Sequence, residues 1–346
     1  MFAILHGGSA RGHRANPAAT LRVEKVFCVS VLLSGLASLI LTSKEEKLLD
    51  QQYKVHLQRL LKLHQATPAP VVYFLAGCLP LMAQIHLRIF SLFGQLCRLR
   101  SGHNILATHA TSVLSSASSS SKSWFWKLRQ LCLQYSLPHP STWLTEQPSK
   151  LQVKTVARAA VHEYWRKMLQ TKADTLDSLI YMKTSFMSLT KCHPLYTACG
   201  SSPWEVEKAV TQSRLLSGRY RLESLTCHWT PGNRGGLCSL PGCWGTPSSH
   251  KGDVEAFLLT CPSLSTTRLE LTISTLRFLH DKPQLDEIVR QCLVLSPVQF
   301  WLDCSTMPAV ISAMQRVGDS VLVSLFKITR NYCHRLHVAR NKLIEE

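Results

Sequence analysis

Between Lys25 and Lys44 the chain runs for 17 residues, Val26 to Thr42, without a single charge. A stretch of that kind is expected to leave water, either into a bilayer, whose apolar core takes about 20 residues of helix, or onto the core of the protein. Ser30, Ser34, Ser38 and Gly35 interrupt it, and no small-x-small cleavage site follows the basic residues Arg11, Arg14, Arg22 and Lys25 that precede it. The residues therefore favour a buried core helix, with a single membrane span at 26–42 as the rival reading. A second apolar stretch, Pro70 to Ala83, is broken by Pro80 and is too short to cross.

The rest of the chain is patterned for helices. Ser43-Lys-Glu-Glu46 reads as a capping box, and the helix after it would place Leu49, Tyr53, Leu57, Leu60 and His64 near one face. A second helix is predicted from about Leu81 to Leu99, and a third from Trp124 to Tyr135, stopped by Pro138-His-Pro140. Ser149 caps a longer one, whose Val153, Val156, Ala160, Tyr164 and Met168 recur at steps of three and four. From Pro194 to Gly252 the chain is rich in Gly, Pro, Trp and Cys and shows little periodicity. Helical spacing returns through Leu271, Ile288, Val321 and Phe326.

The expected fold is mainly α, with a bundle, an irregular Cys-rich module and a helical carboxy-terminal part. The boundaries read as a basic irregular lead-in over 1–25, a helical region over 26–105, a Ser-rich linker over 106–123, a basic helical region over 124–225, the Cys-rich module over 226–262 and the last helices over 263–346.

Charge narrows the partner. Lys and Arg number 39 against 21 Asp and Glu, a formal excess of +18, while 45% of residues are apolar, which is ample for a folded core. The excess is +8 over 1–100, +8 over 101–225 and only +2 over 226–346, so contact with a polyanion should fall on the first two thirds. The cations that carry it are Lys54, Arg59, Lys127, Arg129, Lys154, Arg158, Arg166, Lys167, Arg219 and Arg221, the candidate contacts to an RNA or DNA backbone. Trp124, Trp126, Tyr164, Trp165 and Tyr220 are interleaved with them and offer stacking surfaces, or else serve as core anchors.

Catalytic signatures are missing. The eight Asp include no adjacent pair, which a two-metal polymerase site would need, and there is no phosphate-binding loop, nucleophile elbow or H-E-x-x-H motif. Asp174 and Asp177 read as a solvated helix end. The 13 Cys, odd in number and scattered from Cys28 to Cys333, do not look like a set of paired bridges and suggest a reducing compartment, cytoplasmic or nuclear. Cys238 and Cys243 have C-x4-C spacing around a Pro-Gly turn, and Cys261 follows. With His250, or with Cys227 or His228, they could complete a four-ligand zinc site; the alternative is a group of ordinary buried thiols.

These motifs, taken in order, resemble a known family. Asn16-Pro17, Val31-Leu-Leu with Gly35-Leu36, Leu49 with Tyr53 and Leu57-Gln-Arg-Leu60, Thr67, Tyr73, Gly77, Leu79-Pro80 and His86-x-Arg88 are similar to the segment after the polymerase domain in jockey-like non-LTR (LINE-type) retrotransposon reverse transcriptases. Ser217-Gly-Arg-Tyr-Arg221, Cys238-x4-Cys243, Gly252-Asp-x-Glu255 and Cys261-Pro262 resemble the knuckle-like module of the same proteins. The resemblance implies a thumb-like helical region and a module that grip nucleic acid, in a fragment or decayed copy that lacks polymerase and endonuclease, with an upstream polymerase portion in trans as one candidate partner. Three positions depart from the pattern. Ala256 stands where the family has the His of its module, so zinc would need His250 instead, and Ser30 and Ser34 stand where Pro and Tyr are usual. Other readings are a membrane-associated protein and a helical scaffold whose charge is incidental.

Overall fold

The computed structural model describes residues 16–98, 123–227, 235–243 and 251–345, with positions 105, 108, 109, 112 and 113 between the first two stretches. The protein is mainly helical, with no strand among the described residues beyond one isolated bridge, Leu237 to Lys251. Most of the Ser-rich stretch over 106–123 lies outside the described residues.

Helix α1 (Pro17–Val23) starts at Asn16, whose side chain accepts from the Ala18 N–H at 2.8 Å, and runs without a break through a π-helical turn, Glu24–Cys28, into α2 (Val29–Leu36). The end of the expected irregular lead-in is therefore helical from Pro17 onward. Asn16 and Pro17 supply a helix cap and a proline at the first helical position, which outweigh the Gly- and Arg-rich character before them. The uncharged run is a core helix on one side only: Cys28, Val29, Leu33 and Ala37 are buried, while Val26, Phe27 and Val31 stand in solvent. No single helix among the described residues is long and apolar enough to cross a membrane.

Helix α3 (Ser43–Leu60) has its cap one residue earlier than its sequence suggests. Thr42 and Glu45 form the reciprocal capping box, because the Glu46 carboxylate is taken by the Lys127 ammonium. Its inner face carries Tyr53, Leu57 and Leu60; His64 falls past the helix end and is exposed. Helices α4 (Ala69–Ala76) and α5 (Leu81–Cys97) are joined through Gly77 at φ +56°, where a Cβ would stand 1.8 Å from the Lys191 carbonyl oxygen, so only glycine fits. They bend by 59° and sink most of their side chains into the protein.

After α6 (Trp124–Gln134) and α7 (Pro140–Glu146), Ser149 and Gln152 form a second capping box that starts α8 (Lys150–Asp174). Val153, Ala157, Val161, Leu169 and Ala173 make its buried stripe. The helix lies close on α5: a Cβ on Gly94 would meet a Val153 methyl at 2.8 Å. Asp174 ends it in solvent, as expected, and Asp177, also exposed, opens the short 3-10 turn Asp177–Leu179.

The stretch from Pro194 to Gly252 is less irregular than its composition implies. It contains the short α9 (Pro194–Thr197), the 14-residue α10 (Pro203–Leu216) and the short α11 (Glu223–Thr226). Helix α10 escapes a periodicity reading because it buries polar residues. Gln212 donates to the Trp301 and Leu302 carbonyls, at 2.8 and 3.1 Å, and to the Thr329 hydroxyl at 3.1 Å, so a face that looks hydrophilic is in the core. The carboxy-terminal helices α12 (Ser265–His280), α13 (Pro283–Leu295), α14 (Pro297–Asp303) and α15 (Pro308–Val317) surround the long α16 (Ser320–Glu345), which packs along α10. One apolar cluster runs from Leu21 to Leu336 through all these parts.

Candidate nucleic-acid cleft and metal centre

Helices α2, α5 and α8 enclose a cleft of about 600 Å³. Its floor is apolar, with Val29, Leu33, Leu87 and Val153, and its rim carries Arg88 and Arg98 from α5 and its end, and Lys150, Lys154 and Arg158 from α8. No carboxylate lines it among the described residues. Arg88, Lys150, Lys154 and Arg158 are exposed, while Arg98 is half-buried with one Nη atom out of reach of water and of any hydrogen-bond partner among the described residues. Lys25 also lines the cleft but is engaged: its ammonium donates to the Gly77 and Ala76 carbonyls, at 2.7 and 3.3 Å, at the carboxy-terminal end of α4. His162, at the same wall, is held below the usual imidazole range by burial first and then by Arg158, so it adds shape and not charge near neutrality.

The spacing explains the arrangement. On α8, Lys150, Lys154, Arg158 and His162 recur every four residues beside the buried stripe. Along α5, Arg88, Ser91, Gln95 and Arg98 recur at three and four, a polar stripe down an otherwise buried helix. That stripe is the signal from which Arg88 and Arg98 can be found, although they are not among the cations picked out above, since polar residues at helical spacing on so apolar a helix imply a wet face.

Of the ten cations singled out in the sequence, the cleft contains Lys154 and Arg158. Arg166 and Lys167 lie further along α8 and share Glu163, at 3.1 and 3.3 Å. Lys127 is tied to Glu46 on α3, and Arg129 stands 5.6 Å from the ring centre of Trp126. Lys54 and Arg59 are on α3, half-buried and exposed, and Arg219 and Arg221 follow α10. The structure does not gather all ten on one surface. The interleaved aromatics are largely anchors: Trp124 donates to the Ala37 carbonyl at 2.8 Å, Trp165 donates to the Tyr135 hydroxyl at 2.9 Å, Tyr164 packs edge-on against Tyr135, and Tyr220 is buried against Phe257.

The second candidate centre is a trio of buried cysteines. A turn at Leu240–Cys243, with Gly242 at φ +82°, brings Cys243 back beside Cys238, and the π-helical turn Ala256–Thr260 ends on Cys261. Cys261 Sγ lies 3.9 Å from Cys238 Sγ and 3.5 Å from Cys243 Sγ, and the three sulfurs fall within 4.8 Å of one another. Tetrahedral coordination with Zn–S bonds of about 2.3 Å sets sulfurs roughly 3.8 Å apart, so the trio fits three corners of such a site. The hydrogen bond to Cys261, then burial, pushes the Cys238 thiol far up, so its thiolate form calls for a cation beside it. Together the three buried thiols can hold a metal.

The fourth corner is open among the described residues. His250 and His228 lie outside them, and Cys227 is not part of the trio; its thiol donates to the Ser224 carbonyl. Ala256 is buried and shares with Cys238 and Cys261 the wall of a cavity of about 10 Å³, the room of one water molecule.

No protein-family model matches the chain, and neither a curated protein nor a solved structure matches it.

Proposed function

We propose that this protein is a non-catalytic nucleic-acid-binding protein whose cleft between α2, α5 and α8 receives the phosphate backbone, and whose Cys238, Cys243 and Cys261 hold a structural zinc ion. The observation that carries the first part is a single cleft lined by six cations, of which Lys25 alone is engaged by backbone carbonyls, and, among the described residues, by no opposing carboxylate. Unanswered cations converging on a concave surface focus a positive potential there, and each phosphate they neutralise releases counterions. The likeness in motif order to the post-polymerase region of LINE-type reverse transcriptases points the same way, since that region is expected to grip template or target strands.

Equilibrium binding of the full chain to a labelled mixed-sequence RNA tests the reading. Affinity should fall steeply between low and moderate salt, and Lys154→Glu with Arg158→Glu should weaken it about tenfold or more, roughly what loss and reversal of two phosphate contacts produces. Absence of binding at low salt, or a double variant equal to wild type, overturns it. The metal is tested separately by elemental analysis of the purified protein. Near one zinc per chain is expected and is lost in Cys238→Ser; equal, negligible zinc in wild type and Cys238→Ser refutes the site.

A further inference from the structure

We infer that α12 is a docking surface for a second copy of this chain, held in an antiparallel helix pair about a twofold axis beside Ile273. Leu269, Ile273 and Leu276 recur at steps of four and three, which puts them on one side of the helix, and they are 62, 41 and 55% exposed. The other side is the one the fold uses: α12 packs on α13 and α16, with Leu271 buried and Phe278 joined to the core. Three large apolar side chains in a row along a helix make the kind of seam on which a second helix packs, and here the row is left in water.

Charge selects the occupant. Residues 226–346 carry a formal excess of only +2, so two copies can meet there with little repulsion, whereas the strongly basic first two thirds repel one another. The flank of the row is decisive. Glu270 and Arg277 stand exposed on the same flank, two turns and about 10.5 Å of rise apart, and neither has an ion pair among the described residues. An antiparallel twofold whose axis passes between Ile273 and Ser274 brings each Glu270 level with the partner's Arg277, so two equivalent ion pairs form. The same axis interleaves the two apolar rows, with side chains from the two helices alternating along the seam. A parallel pair would instead set this flank against the opposite one, which carries Thr272, and leave both charges unanswered. One helix pair is at the small end of specific interfaces, so the dimer should be reversible.

Sedimentation equilibrium of the nuclease-treated full chain, over about 1 to 100 μM, tests the pairing. A monomer–dimer equilibrium is expected, and Ile273→Glu should weaken it about tenfold or more by placing a carboxylate in the seam. Glu270→Arg and Arg277→Glu should each weaken self-association by about the same factor, because each sets like charges against one another. Mixed together, these two variants should dimerise as tightly as wild type, since one then carries two cations and the other two carboxylates at matching heights. All three positions are exposed, so the variants should keep the wild-type circular dichroism. A chain that stays monomeric throughout, a dimer that Ile273→Glu leaves intact, or charge variants that do not pair with each other in the mixture overturns the inference. A monomer whose binding to phosphatidylcholine vesicles is lost in Ile273→Glu overturns it too, and puts a lipid surface on this face instead.

Discussion

The cleft and the carboxy-terminal half use the same cationic residues in opposite ways. Around the cleft, Arg88, Lys154 and Arg158 stand in solvent with no carboxylate facing them among the described residues. In the second half, Arg330 is buried and donates to the Ala198 carbonyl at 3.0 Å and to Glu205 at 3.4 Å, while Arg340 is buried against Glu223 at 2.9 Å. His193 faces the fully buried Asp303 at 3.3 Å in the same region. A cation that is answered inside the chain has become part of the fold, and one that is left unanswered on a concave surface is available to a ligand.

The largest loss is expected from removing one partner of a buried pair. Glu223→Ala leaves the Arg340 guanidinium enclosed without its carboxylate and also removes the acceptor of the Ser239 hydroxyl, so it should cost about 3 kcal/mol, read as a lowered urea midpoint. Asp303→Asn comes next. Burial works against ionisation of Asp303, but the His193 imidazole and the Ser305 hydroxyl and N–H outweigh it and hold the carboxyl below its ordinary range. A carboxyl lowered on folding contributes stability above its unfolded value, about 4, and that contribution disappears as pH falls through the lower folded value. The variant should therefore lose on the order of 2 kcal/mol at neutral pH and show a flatter loss of stability below about pH 4, measured by unfolding at a series of pH values. If the acid limb is unchanged, the pair does not carry its charge in the fold.

Smaller effects are expected around the cleft. Ser149→Ala removes the cap that starts α8 at the mouth of the cleft, and should cost about 1 kcal/mol by thermal unfolding. Lys154→Ala, exposed at the cleft, should shift stability by no more than about 0.5 kcal/mol while weakening polyanion binding. A large stability loss there would mean that the cleft cations are structural after all.

How far the sequence can be read depends on where each residue finds its partner. The cap at Ser149, the helices from Leu81 and Trp124 and the helical class itself follow from contacts within a few residues, and they stand where local patterning puts them. Helix α10 is not legible in this way because Gln212 is satisfied by Trp301, Leu302 and Thr329, which are about 90 to 120 residues away along the chain. The capping box of α3 sits one residue from its expected place because Glu46 is drawn to Lys127, which lies on a different helix. In the metal centre, the C-x4-C pair and Cys261 are readable from spacing, yet that Cys227 stands outside the trio depends on how the chain turns.

The sequence by itself determined that this is a mainly helical protein with a concentrated positive charge in its first two thirds and a short cysteine turn after it. Local rules of capping, spacing and composition suffice for those statements. Only the tertiary structure decided which cations are left to face a ligand, because whether an Arg or Lys is neutralised depends on carboxylates distant in the chain. It likewise decided that one side of the uncharged run, Phe27 included, faces water: a helix has two sides, and only packing chooses which of them the core will cover.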